Sequence, residues 1–369
     1  MNISFKIENL ILLTIASSAI GVGISYSDFY LFHLLIIFLT IVIVFKERDN
    51  NYLFSLNLGL SNHILFFFVI IFWYIISLVW ALDLILGLKY IFYLLCGITI
   101  SLIIINFSKS TKKLNDVFKI LRIIFVFELI LALFESFSFF RWPISPYSSW
   151  HPFFGKELFD LSSLNQLSYL SFNPPTGFHW NTNNLAIAMI IILPFFLCHH
   201  KFIVKLIGIV SITLITALAA SRAVFLGLIL IFCFYLVLIK KKIGILFFIW
   251  LLIGSIFLGM NILKDSKNPR LNEVANTIQA IEYFLSRDID VGGSIEWRRQ
   301  LIDDGIKALK KSNGLGIGAG ASTALQEKVG GVAGRFTSMH NFWVEILVEG
   351  GLMIGFLGLL WYSSIIFQL

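Results

Sequence analysis

The chain has 369 residues, 58% of them in the hydrophobic set and only 13% charged, with 38 phenylalanines and a formal net charge of +7. A soluble domain this apolar lacks the polar groups to cover its own surface, so a globular cytosolic enzyme is excluded. The mean hydropathy of +0.89 points to a polytopic membrane protein, because a span takes about 20 residues and this length accommodates roughly ten of them. Seven prolines and the lack of a low-complexity tract argue against a large disordered arm. The excess of Lys and Arg reads as cytoplasmic-loop charge, not as a nucleic-acid footprint. Cys96, Cys198 and Cys233 fall inside apolar runs, where a thiol is a small hydrophobe, and form neither a disulfide framework nor a metal pattern.

In chain order, apolar runs lie near residues 9 to 25, 29 to 45, 63 to 82, 84 to 106 and 117 to 140, then 184 to 199, 202 to 219, 223 to 239, 243 to 263 and 342 to 366. They predict an all-α, polytopic integral membrane protein with about ten transmembrane helices and two larger extracytoplasmic segments. The first run has no small-residue cleavage site after it and reads as an uncleaved anchor. Every second connection is basic, through Lys46 and Arg48, then Lys109, Lys112, Lys113 and Lys119, then Lys201 and Lys205, then Lys240 to Lys242. The positive-inside rule therefore places the N-terminus in the cytoplasm. The expected organisation is helices one to five over 1–140, an outer loop over 141–183, helices six to nine over 184–263, a large outer loop over 264–341 and a last helix over 342–369.

Four polar constellations fall on the outer side. Ser221 and Arg222, with Leu226, stand at the outer end of a helix, where a guanidinium fits the oxygens of a lipid-linked diphosphate or simply snorkels to the headgroups. Helix-like stretches are expected at 273–286 and 295–311. In the second, Arg298, Leu301 and Gly305 share one face and Arg299 points away, which suits one inward arginine and equally a solvated amphipathic helix. The glycines at 314, 316, 318 and 320 follow no strand and are read as a tight backbone turn above the membrane.

Asn341 is an expected N-cap for the last helix, holding His340 at the outer boundary, where an imidazole can take a proton from a sugar hydroxyl or serve as an ordinary hydrogen-bonded group. Glu345 and Glu349 recur at four-residue spacing inside that apolar helix and are expected to pair with an arginine or line a cavity. Before the sixth helix, the Asn and Thr residues of 181–184, Asn183 among them, suit capping, and His179 or Trp180 suits stacking on a sugar. Asp288 and Asp290 read as solvated loop acids, and no metal pair is expected. The helix centres are read as nearly free of charge, which counts against a transporter or flippase.

Together, Gly177 to Ala186, Ser221-Arg222 with Leu226, Arg298 with Gly316-x-Gly318, and His340-Asn341 followed after nine residues by Gly351 closely resemble the O-antigen ligase and polymerase superfamily of bacterial envelope glycosyltransferases. The resemblance covers about residues 170 to 360. One departure is that Gly355 follows Gly351 by four positions where the family places a glycine three on; another is the end at Leu369, where relatives continue for one or two helices.

The resemblance implies a GT-C-like fold in the bacterial inner membrane and an inverting, metal-independent transfer without cofactor. The donor would be an undecaprenyl-diphosphate-linked glycan and the acceptor a second glycan, handled on the extracytoplasmic face beside a flippase and a chain-length regulator. Carried over, Arg222 and Arg298 hold the donor diphosphate and His340 activates the acceptor hydroxyl, with Arg299, Asn341, Trp180, Asn183 and Glu345 as substrate contacts. Polymerisation of lipid-linked repeat units is the favoured activity. Ligation onto lipid A core or protein shares the same motifs, and acceptor identity separates the activities.

Overall fold

The computed structural model describes residues 7–46, 61–138, 140–156, 174–219, 221–236, 294–329 and 341–368. The expected ninth helix, the stretch at 273–286, Asp288, Asp290 and His340 lie outside them. In chain order the helices are α1 (Ile7–Ile20), α2 (Leu31–Lys46), α3 (Ser61–Ser77), α4 (Leu84–Phe107), α5 (Thr111–Phe137) and α6 (Thr182–Leu197). They continue with α7 (Phe202–Ala219), α8 (Arg222–Phe234), α9 (Ser294–Lys311), α10 (Ala321–Val329) and α11 (Phe342–Gln368). The protein is thus mostly helical. Among the described residues the exception is a minimal antiparallel hairpin, β1 (Ser25–Tyr26) on β2 (Phe29–Tyr30).

By length and composition, three helices among the described residues suffice to cross a membrane, namely Leu84–Phe107, Phe202–Ala219 and Phe342–Ile365. Shorter apolar helices cover Ile7–Gly23, Leu31–Phe45, Ile64–Ser77 and Thr182–Leu197. Polar residues set several starts: Ser110 caps α5 by accepting from the Lys113 N–H at 3.3 Å, which begins that helix six residues ahead of its apolar run. Asn181 caps α6, accepting from the Asn184 N–H at 2.8 Å.

The chain divides into two compact units, 1–42 with 108–286 and 43–107 with 287–369. In the first, α6 is the central helix. Its Leu185, Met189, Ile192 and Phe196 pack among Phe125, Leu129 and Ala132 of α5, Ile212 and Ile215 of α7, and Val224 and Leu228 of α8. Gly208 lets α7 close on α6, since a Cβ there would run into the Phe196 ring. Ile191, Ile203, Ile207 and Val210 are exposed, so apolar side chains line the outside of these helices as well as the core, the pattern of a lipid-facing surface. Over one end of this unit three segments interlock. Ser27 N–H donates to Phe154 O at 2.7 Å, Trp142 Nε1 to Gly23 O at 2.7 Å, Lys156 Nζ to Ser27 O at 2.8 Å and Arg141 Nη1 to Pro174 O at 2.8 Å.

The second unit packs Phe66, Ile70 and Tyr74 of α3, Ile91 of α4, Ile354 of α11 and Ala319 of the glycine run around one another. Here the structure corrects the expectation of one continuous last helix. Gly351, at φ 78° and ψ −179°, breaks α11 into two helical halves, because the glycine run meets it at that point.

Candidate functional site

The break in α11 is filled by the backbone of residues 314–318. Leu352 N–H donates to Gly314 O at 2.9 Å, Ile317 N–H to Val348 O at 2.9 Å and Gly318 N–H to Glu349 O at 3.1 Å. Carbonyls that a helix interruption would leave unsatisfied in apolar surroundings are paired in this way. Such an approach of two backbones requires glycine on both sides. A Cβ on Gly316 would strike Glu349 O and come within 2.5 Å of Gly351 N, and Gly316 itself has φ +87°. Trp80 Nε1 donates to Gly316 O at 3.2 Å and Ala319 N–H to Ser77 Oγ at 3.2 Å, which fastens the same loop to α3. The glycines expected to make a tight turn do so, with positive φ at Gly314, Gly316, Gly318 and Gly320.

Below the lock, Glu349 is 2% exposed. Among the described residues its partners are not the expected arginine: its carboxylate accepts from Gly320 N–H at 3.1 Å, from Ser322 N–H at 3.2 Å and from Ser322 Oγ at 2.5 Å. These are the unsatisfied donors at the start of α10, where a carboxylate is favoured by both the N–H groups and the helix dipole. Glu345, one turn earlier and partly exposed, takes a long contact of 3.5 Å from the Ser322 hydroxyl and hydrogen-bonds with Tyr90. Asn341 caps the helix as expected, accepting from Val344 N–H at 3.2 Å.

In the first unit the segment before α6 is held from beneath by two carboxylates of α5. Glu135, fully buried, accepts from Thr176 N–H and Gly177 N–H, both at 2.7 Å, and from Trp142 N–H at 2.9 Å. Glu128 accepts from Phe178 N–H at 3.1 Å and lies 3.8 Å from His179 Nε2. Gly177, at φ +55°, has no room for a side chain against Glu128. Burial pushes the His179 imidazole down to about 4 and lowers that of His151, so both rings are neutral at neutral pH. Trp180 remains 40% exposed, with the His151 ring centroid 4.9 Å away and Lys156 Nζ 4.8 Å over its ring.

Arg222 opens α8 in the first unit, directly after its N-cap Ser221. Arg298 belongs to α9 in the second, on the turn that carries Leu301, 1% exposed, and buried Gly305. Arg299 is exposed, as the helix-face reading requires, and Asn183 is exposed in the first turn of α6. The sequence reading missed Glu128 and Glu135, which contradict the expectation that helix centres are nearly free of charge. Their signal was available: two acids seven residues apart share one face of an otherwise apolar helix, and so demand buried donors.

Residues 185–360 match the family model described as O-antigen ligase. The chain is similar to the O-antigen ligase and polymerase superfamily. It is also 26% identical over 313 residues to the teichuronic acid biosynthesis protein TuaE of Bacillus subtilis (strain 168), covering 81% of this chain and 59% of that protein. The chain thus spans less than two thirds of that relative's length. No solved structure matches it. Arg222, Arg298, the Gly316-x-Gly318 loop and the α11 break all fall inside the family-matched region, whereas Glu128, Glu135 and the loop they anchor precede it.

Proposed function

We propose that this chain is a membrane glycosyltransferase that polymerises undecaprenyl-diphosphate-linked oligosaccharide repeat units into a surface polysaccharide on the outer face of the bacterial cytoplasmic membrane. The observation that carries it is the glycine lock. Two segments that carry the family's motif glycines hydrogen-bond backbone to backbone, which fastens the end of the helix bearing Arg298 to the helix that begins just after His340. A motif loop built this rigidly suits a site that must hold reacting groups in one geometry.

In the reaction the acceptor hydroxyl oxygen attacks the anomeric carbon of the donor. The bond from that carbon to the diphosphate oxygen breaks with its electron pair going to the leaving group, and configuration inverts. His340 takes the hydroxyl proton. Arg222 and Arg298 neutralise the charge that develops on the diphosphate, the role fixed cations fill without a metal. Asn341, Glu345, Arg299, Trp180 and Asn183 contact the glycans. The similarity to a teichuronic acid biosynthesis protein supports a surface polysaccharide as product.

Ligation of a finished glycan to a different acceptor is the second reading, favoured by the family description itself. Purified protein in liposomes with a short lipid-linked repeat separates the two. Products lengthened by whole repeats support polymerisation. Transfer only when a lipid A core or protein acceptor is supplied supports ligation, and no transfer with any acceptor overturns both.

A further inference from the structure

The end of the first unit opposite its interlocked cap brings two cations, Arg122 and Lys201, beside a pair of imidazoles, His199 and His200, with none of the four held in an ion pair among the described residues. Arg122 sits in α5, and its Nε is buried with no hydrogen-bond partner. His199 and His200 follow α6 with rings stacked at 4.4 Å, and Lys201 N–H donates to His199 Nδ1 at 3.1 Å. His199 is lowered by desolvation and then by the charges of His200, Arg122 and Lys201, which places the four within electrostatic reach of one another. Among the described residues none of them makes an ion pair, unlike Lys113 with Glu8 and Lys307 with Asp304. Asp116, six positions before Arg122, lies well round the helix from it.

Clustered cations repel one another unless an anion joins them. The surroundings say what kind of anion. Arg122 lies five residues inside the apolar run that starts at 117, roughly 8 Å deep at helical rise, from where a long side chain reaches back to the level of lipid phosphates with its stem against apolar surface. Beside it Phe118, Ile123 and Val126 of α5 and Phe202 and Ile203 of α7 are exposed, and the Phe118 ring rests on Phe195 at 5.4 Å. A ligand here meets positive charge at one end and an apolar wall at the other.

We infer that Arg122, His199, His200 and Lys201 form a seat for the phosphate of an anionic phospholipid in the inner leaflet. The forked guanidinium supplies the deepest contact, the two imidazoles and Lys201 the rim, and the exposed α5 and α7 side chains receive the acyl chains. The site is separate from the motif residues and does not depend on the proposed glycosyl transfer.

The test is native mass spectrometry of the full chain in detergent, titrated with phosphatidylglycerol, phosphatidylcholine or inorganic phosphate. Wild type should retain one phosphatidylglycerol at concentrations where phosphatidylcholine and inorganic phosphate leave no adduct. Arg122→Gln should bind phosphatidylglycerol about tenfold more weakly, the loss of one charge-assisted contact, at an unchanged melting temperature. If Arg122→Gln does not fold, the His199→Gln/His200→Gln double variant is read in the same titration and should show the same weakening. Equal retention of the two lipids, binding of inorganic phosphate as tight as that of lipid, or variants that match wild type would each overturn the assignment.

Discussion

Replacing Gly351 by Ala addresses the lock on which the fold of the second unit turns. At φ 78° and ψ −179° the backbone occupies a region essentially reserved for glycine, costing roughly 1–3 kcal/mol for any residue with a side chain. The added Cβ would also lie 2.5 Å from the Leu315 carbonyl carbon and 2.6 Å from Gly314 O. Neither is a flexible side-chain end, so the two backbones must separate. Separation stretches the Leu352, Ile317 and Gly318 hydrogen bonds across the gap, each worth about 0.5–1.5 kcal/mol. The combined expectation is a loss of about 3–5 kcal/mol, read as the shift in a denaturant titration of the purified protein in detergent. Gly97→Ala is the internal control, because nothing lies within 4 Å of its new methyl and Ala in a helix gains up to about 1 kcal/mol over Gly. Gly355→Ala should fall between them, since its Cβ meets the end of the Leu347 side chain at 2.6 Å. A Gly351→Ala protein within about 1 kcal/mol of Gly97→Ala, on the same scale, would refute the reasoning.

Glu135→Ala removes the shared acceptor of Thr176, Gly177 and Trp142 and should cost about 3 kcal/mol; hydrogen exchange should accelerate at those three amides first, and uniform acceleration would contradict it. His179, and with it His151, titrates below its ordinary value when folded, so the unfolded chain binds protons at higher pH than the native one. Stability should therefore fall as pH drops from about 6.5 towards about 4, by at most about 3 kcal/mol for His179, and His179→Gln should flatten that part of a melting curve measured against pH. Asn181→Ala loses the α6 cap and should lower stability by about 1 kcal/mol in the same titration.

Much of the helical layout was legible because apolar runs are long and their ends are marked by capping residues: Asn341 and Asn181 cap where the sequence places them, and α9 begins within one residue of its expected start. The glycine run was legible as a turn, but not as a partner for the last helix. That pairing depends on two backbones meeting about 35 residues apart, which a periodicity of side chains does not encode. Glu349 and Glu135 show the same limit. Burial of an acid announces that donors are needed, and an arginine is the obvious donor in a sequence. The folded chain uses backbone N–H groups instead, and those carry no residue identity.

Glycan laddering in a strain lacking this chain tests the central claim most directly, with complementation by wild type, Arg222→Ala, Arg298→Ala or His340→Ala at matched membrane expression. The account predicts that wild type restores a ladder of many repeats and that each variant leaves a single lipid-linked repeat. Normal ladders from all three variants would contradict it.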